Sequence, residues 1–137
     1  MVSRRKALLT GGGLLSSSFA GCLDVLGTDA SVREVSVLLD NRGDTPQTFT
    51  FALELEAERL DRDSRTVEAK DNKVITIDPP DDSFPVAFYG SVGDVESTLE
   101  FDDLNDLEED FCLYLYFWYQ HPFRGDVTLE RAPYVDC

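Results

Sequence analysis

The sequence predicts an all-β fold, a two-sheet antiparallel sandwich of seven or eight short strands. Three observations carry that prediction. Apolar residues recur at every second position through most of residues 32–130, the period of a half-buried strand; an amphipathic helix would space them three and four apart. Clusters of Asn, Asp, Gly and Pro interrupt this pattern at intervals of roughly 8–12 residues. Nine Phe, five Tyr and one Trp in 137 residues supply a core, so the high charge does not mean disorder. A chain of this length is expected to be one domain with a self-sufficient core. It is too short for a two-lobed solute-binding protein, a doubly wound cofactor enzyme or a transporter.

Taken in order, residues 32–40 place Val35, Val37 and Leu39 on one face against Glu34, Ser36 and Asp40, with Leu38 the one misfit. Asn41, Arg42, Gly43 and Asp44 then supply turn chemistry. The clearest strand follows, with Phe49, Phe51, Leu53, Leu55 and Ala57 alternating with Thr48, Thr50, Glu54, Glu56 and Glu58. Weaker strands are expected at 65–69 and 73–78, joined by Lys70, Asp71 and Asn72, before Pro79 and Pro80 break the chain. Another strand runs from Phe84 or Pro85 to Val92, and Val95, Ser97, Leu99 and Phe101 alternate with acidic and Thr residues. An acidic loop at 103–110 has room for a helical turn. The run FCLYLYFWY at 111–119 is apolar on both faces and reads as a central strand, completed as a hairpin by Val127 and Leu129 through a turn at 120–125.

The first 22 residues, MVSRRKALLTGGGLLSSSFAGC, are read as an address label. The apolar stretch from Ala7 to Ala20 is broken by three glycines and is shorter than the roughly 20 residues that span a bilayer. Arg4 and Arg5 form a twin-arginine pair, and Phe19, Ala20, Gly21 and Cys22 resemble a lipobox, in which the cysteine becomes the lipid-modified first residue of the mature chain. The expected organisation is a signal peptide at 1–21, a tether at 22–31 beginning with lipidated Cys22, and the sandwich at 32–137. With Cys22 assigned to lipid, Cys112 and Cys137 remain, and an exported protein pairs them as a disulfide.

The whole chain carries 27 acidic and 12 basic residues. Loss of Arg4, Arg5 and Lys6 with the leader leaves nine basic residues and a net charge of about −18. Such a surface repels phosphate polyanions, which excludes nucleic acid as a partner. Distributed acidity with lysine only at Lys70 and Lys73 resembles proteins adapted to molar salt, where charges are screened within about 3 Å. The stretch VSVLLDNRGDTPQTFTFALELEAE resembles the opening hairpin of immunoglobulin-like domains in twin-arginine-exported lipoproteins of halophilic archaea, with an Asn-Arg turn followed by a Thr-rich alternating strand. The resemblance spans residues 32–137. It implies an immunoglobulin-like sandwich and carries no catalytic residue across.

Chemistry-bearing residues are sparse. His121 is the only histidine and sits beside Pro122 in a hairpin loop without a nucleophile elbow, so it is read as a loop residue. One histidine and a single methionine, Met1, exclude a blue-copper site. The carboxylates at 102–110 are numerous enough for calcium, yet lack the EF-hand glycine and read as a solvated loop. Asp61 and Asp63 are a weaker pair with no information for a glycosidase. Two Arg-Gly-Asp tripeptides, at 42–44 and 124–126, are explained as glycine-containing hairpin turns. Tyr114, Tyr116 and Trp118 share a strand face with Cys112, opposite Phe111, Leu113, Leu115 and Phe117. That aromatic row is the candidate binding face, unless residues 133–137 cover it.

The sequence therefore leads to a non-enzymatic domain without metal or cofactor. It is expected on the outer face of the cell membrane, held through a lipid on Cys22 and acting on a protein partner or in envelope structure. A module binding carbohydrate on the aromatic row, or calcium in the acidic loop, is the alternative.

Overall fold

The computed structural model describes residues 30–137; the expected leader and most of the tether, with Arg4, Arg5 and Cys22, lie outside the described residues. Eight strands follow one another: β1 (Val32–Asn41), β2 (Gln47–Leu55), β3 (Asp63–Val67), β4 (Asp71–Ile77), β5 (Pro85–Val92), β6 (Val95–Glu100), β7 (Phe111–His121) and β8 (Gly125–Arg131). They form two four-stranded sheets, ordered β4-β1-β7-β8 and β3-β2-β5-β6. No helix occurs among the described residues. The fold is thus an all-β sandwich, and its arrangement is compatible with an immunoglobulin-like domain.

Five of the six strand pairings are antiparallel, and β1 with β7 is the parallel one. Parallel neighbours need a long connection. Here the connection is the five intervening strands, which cross to the other sheet, return as β4 and cross again.

Alternation builds the core as expected. Val35, Val37 and Leu39 of β1 and Phe49 and Leu53 of β2 are essentially inaccessible to solvent, as are Phe88 of β5 and Leu113 and Phe117 of β7. The two sheets are keyed together by an edge-to-face contact of Phe49 with Phe117, centroids 4.8 Å apart, and another of Phe84 with Phe111 at 5.9 Å. Gly90 faces inward on β5, where a Cβ would stand 2.8 Å from Phe117 Cε2. Its lack of a side chain is what seats Phe117 of the opposite sheet.

The chain departs from the expected strands and turns at two places, 41–44 and 55–60. The turn at 41–44 is no hairpin: β1 and β2 belong to different sheets, and the turn carries the chain between them. Asn41, completely buried, holds that crossover, its Nδ2 donating to Thr45 O at 2.9 Å and Val67 O at 3.0 Å while its Oδ1 accepts from Gly43 N at 2.9 Å. Gly43 is needed for close approach, since a Cβ would lie 3.0 Å from Tyr119 Cε2. The second strand ends at Leu55 and does not reach Ala57, because a tight turn returns the chain, with Leu55 N bonded to Glu58 O at 2.7 Å and Leu60 N to Leu53 O at 2.9 Å. The acidic loop contains a single bonded turn, Leu107 N to Leu104 O at 3.2 Å, with Leu104 buried beneath it.

The sandwich also takes in the last two residues of the expected tether. Ala30 and Ser31 are buried, and Asp110 Oδ1 accepts from both the Ser31 amide and its hydroxyl at 3.1 Å.

Candidate interaction face

β7 lies between β1 and β8, and its two faces meet different surroundings. Phe111, Leu113, Leu115 and Phe117 point into the core, each at most 2% exposed. Tyr114, Tyr116 and Trp118 point out of the sheet and are half-buried. Strand register extends this row sideways: Tyr116 stands opposite Leu38 on β1, and Leu38 opposite Val74 on β4. Val74 is 66% exposed, so an apolar strip runs across three strands on the outside of the sandwich. On the other side Tyr116 meets Glu130 of β8, and Trp118 meets Thr128.

Leu38 and Val74 were not among the expected site residues. The sequence did contain a sign of them: Leu38 broke the alternation of its strand by placing an apolar side chain on the outward face. The register that brings it to Tyr116 is a long-range pairing that no local pattern encodes.

Aromatic contacts stiffen the row. Tyr116 and Trp118 stack with centroids 5.2 Å apart and planes inclined by only 4°. The Arg124 guanidinium sits 4.8 Å from the indole centre and also pairs with Glu130. His121 joins the row 5.1 Å from Trp118, and its Nδ1 accepts from the Phe123 amide at 3.2 Å, so the lone histidine organises the hairpin end. Phe123, at the tip, is 90% exposed. Gly125 takes a φ of +100° in this turn, which fits the expected role of glycine in the second Arg-Gly-Asp tripeptide.

The other end of the row is covered. Cys112 and Cys137 form a disulfide with Cα atoms 5.1 Å apart. Extrapolating the hairpin register from Leu115 opposite Arg131 puts residue 134 beside Cys112, so the tail must continue and turn to bring residue 137 there. It does so with Ala132 N bonded to Tyr114 O at 2.8 Å and Cys112 N to Val135 O at 2.9 Å. Tyr134 packs on Tyr114 at 5.1 Å, and the Tyr114 hydroxyl donates to Asp136 O at 2.6 Å. Hydrogen bonding with Tyr134 holds the Tyr116 phenol above the ordinary tyrosine pKa, with mutual repulsion of the two ionised forms and burial adding to the shift. The tail therefore caps Tyr114, while the strip from Tyr116 and Trp118 to Leu38 and Val74 stays open.

The acidic loop is partly committed to the fold. Arg131 Nη2 donates to Asp103 Oδ2 at 2.5 Å, and Asp110 holds Ser31. Among the described residues no group of three or more His, Cys, Asp or Glu side chains is placed to hold a metal ion. Asp63 pairs with Arg65 at 2.8 Å, which together with the Ser64 amide lowers its pKa from the usual carboxylate value. No protein-family model matches the sequence, and no curated relative was found for it.

Proposed function

We propose that this chain is a membrane-anchored interaction domain, binding a protein partner through the outer face of the β4-β1-β7-β8 sheet. The observation that carries the proposal is the outward strip of Val74, Leu38, Tyr116 and Trp118, an apolar and aromatic surface on a chain that is otherwise densely charged. Aromatic residues are the usual anchors of protein interfaces. The two rings of the strip are held before any partner arrives, because Tyr116 and Trp118 stack on each other and Arg124 lies against the indole, and this limits the entropy lost on binding.

A protein fits this surface better than a sugar. A sugar ring stacks on an open aromatic face, whereas the Trp118 indole already holds the Tyr116 ring and the Arg124 guanidinium against it. Charge narrows the partner further. Glu34 and Asp136 stand at the edges of the face, and the net charge after loss of the leader is about −18, so the complementary surface has an apolar centre with Lys and Arg around it.

Anchoring rests on the leader sequence: Arg4 and Arg5 direct export through the twin-arginine route, and Cys22 carries the lipid on the outer side of the cell membrane. In this reading the protein belongs to the lipoproteins of halophilic archaea that it resembles. A photoreactive amino acid at position 74 or 38 is expected to give one discrete protein adduct in native membranes. The same group at position 98, on the other sheet, is expected to give none. Equal adducts from both sheets, or adducts at 74 and 38 that persist in Trp118→Ala, would remove the assignment of this face. Cys22→Ser protein that still fractionates with membranes would remove the anchor.

A further inference from the structure

The outer face of the second sheet holds a separate feature. Between its edges lies a depression of about 140 Å³, roofed by nothing and floored by Ala52, whose methyl is almost fully buried among larger neighbours. Tyr89 and Arg59 form one wall as a fixed unit. The Arg59 guanidinium lies 4.1 Å from the Tyr89 ring centre, the Tyr89 hydroxyl donates to Glu54 Oε1 at 2.5 Å, and Arg59 Nη2 is 4.0 Å from the same oxygen. Those charges are satisfied internally, and the Tyr89 phenol is raised in pKa chiefly by its bond to Glu54.

Two other charges, both solvent-exposed, line the same depression without a protein partner. Arg62 stands just before β3 at one edge of the sheet, and Glu96 stands on β6 at the other. Neither forms an ion pair or a side-chain hydrogen bond with any described residue, nor with the other. Three inter-strand steps and a stagger of two residues separate their backbones, about 16 Å at ~4.8 Å per step and ~3.4 Å per residue, and both side chains line the hollow between. The space between them is edged by the hydroxyl-bearing residues Thr50, Ser91 and Thr98. Arg62 is flanked in sequence by Asp61 and Asp63, yet Asp63 pairs with Arg65 and leaves the Arg62 guanidinium to the hollow. A cation and an anion held apart across one small polar hollow are complementary to a ligand that carries both charges.

We propose that this depression binds a small zwitterion, a molecule of amino-acid size whose carboxylate is taken by Arg62 and whose ammonium group is taken by Glu96. The planar guanidinium fork suits a carboxylate, with paired charge-assisted hydrogen bonds. Glu96 accepts from the ammonium, and the flanking hydroxyls serve the remaining donors and acceptors. A lone carboxylate would meet Arg62 while facing Glu96 as a like charge, and a lone amine would meet the reverse, so both single-charge ligands are selected against. This site lies on the opposite sheet from the aromatic strip and stands independently of the interaction proposed there.

Calorimetric or NMR titration of the purified, disulfide-bonded protein tests this, with glycine, β-alanine and γ-aminobutyrate as probes of increasing charge separation. Acetate and methylammonium are the single-charge controls. One of the three zwitterions is expected to saturate with a Kd on the order of 1 mM, with acetate and methylammonium at least about tenfold weaker. Arg62→Gln and Glu96→Gln, both at exposed positions without partners and so expected to fold, should each weaken that zwitterion about tenfold, while Arg33→Gln leaves it unchanged. Acetate binding as tightly as the zwitterions, insensitivity to either substitution, or no saturation up to about 100 mM of any probe would overturn the site.

Discussion

Asn41 shows how much one side chain carries here. Its carboxamide sits with no solvent exposure between the carbonyls of Thr45 and Val67 and the amide of Gly43, and so ties the β1–β2 crossover to the end of β3. Asn41→Leu would leave those backbone groups buried without partners and should lower stability by about 3 kcal/mol in urea unfolding. From sequence Asn41 reads as an ordinary turn residue, because a partner 26 positions away leaves no mark on the local pattern. The Tyr116–Tyr134 hydrogen bond gives a pH-dependent counterpart. A tyrosine whose folded pKa is raised contributes stability that is fully present below its unfolded value of about 10 and is lost as pH rises through the folded value. Ultraviolet titration should therefore find two phenols ionising late, Tyr116 and the Glu54-bonded Tyr89, with the tail loosening above pH ~10, and Tyr134→Phe should bring only Tyr116 back toward the ordinary range.

Among the elements, β7 was the most legible and the crossovers were the least. A run of apolar residues on both faces marks a central strand regardless of its partners, and β7 is central. The turns at 41–44 and 121–126 each contain an Arg-Gly-Asp tripeptide, yet one connects two sheets and the other closes a hairpin. Local propensity fixes that the chain turns, while core packing decides where it goes, which is why the first was read as a hairpin. The parallel β1–β7 pair was equally invisible, since it joins residues about 78 positions apart. The tail was readable for a different reason: hairpin register and two cysteines together left it one place to go. Removing the bond with Cys137→Ser should cost about 3 kcal/mol, since the link closes a sequence separation of 25 residues. The same variant should expose Tyr114, detected as faster oxidation or quenching of that tyrosine. Unchanged stability and exposure would mean that the Tyr114–Asp136 and Cys112–Val135 hydrogen bonds hold the tail without the covalent link.

Across the whole molecule, carboxylates cover the outside of a core that is conventional in composition. The described ion pairs are solvent-facing, such as Lys70 with Asp44 at 3.3 Å, and pairs of that kind each contribute little. Most of the 27 acidic residues therefore contribute repulsion, not pairing. Molar salt shortens the range of that repulsion to about 3 Å, so the unfolding midpoint should climb between dilute buffer and molar salt. A constant midpoint would separate the acidity from salt adaptation. The aromatic row itself was legible from residue spacing. Its width was not, because Leu38 and Val74 join it only through register.

The claim that this face meets a protein is tested most directly by oxidative footprinting, read residue by residue with mass spectrometry, on the protein in native membranes and on the same protein purified. Trp118 and Tyr116 should be oxidised several-fold more slowly in the membranes, while Tyr89 on the opposite sheet reacts equally in both. Equal oxidation of Trp118 and Tyr116 in the two preparations would contradict an occupied face and leave the strip without a partner.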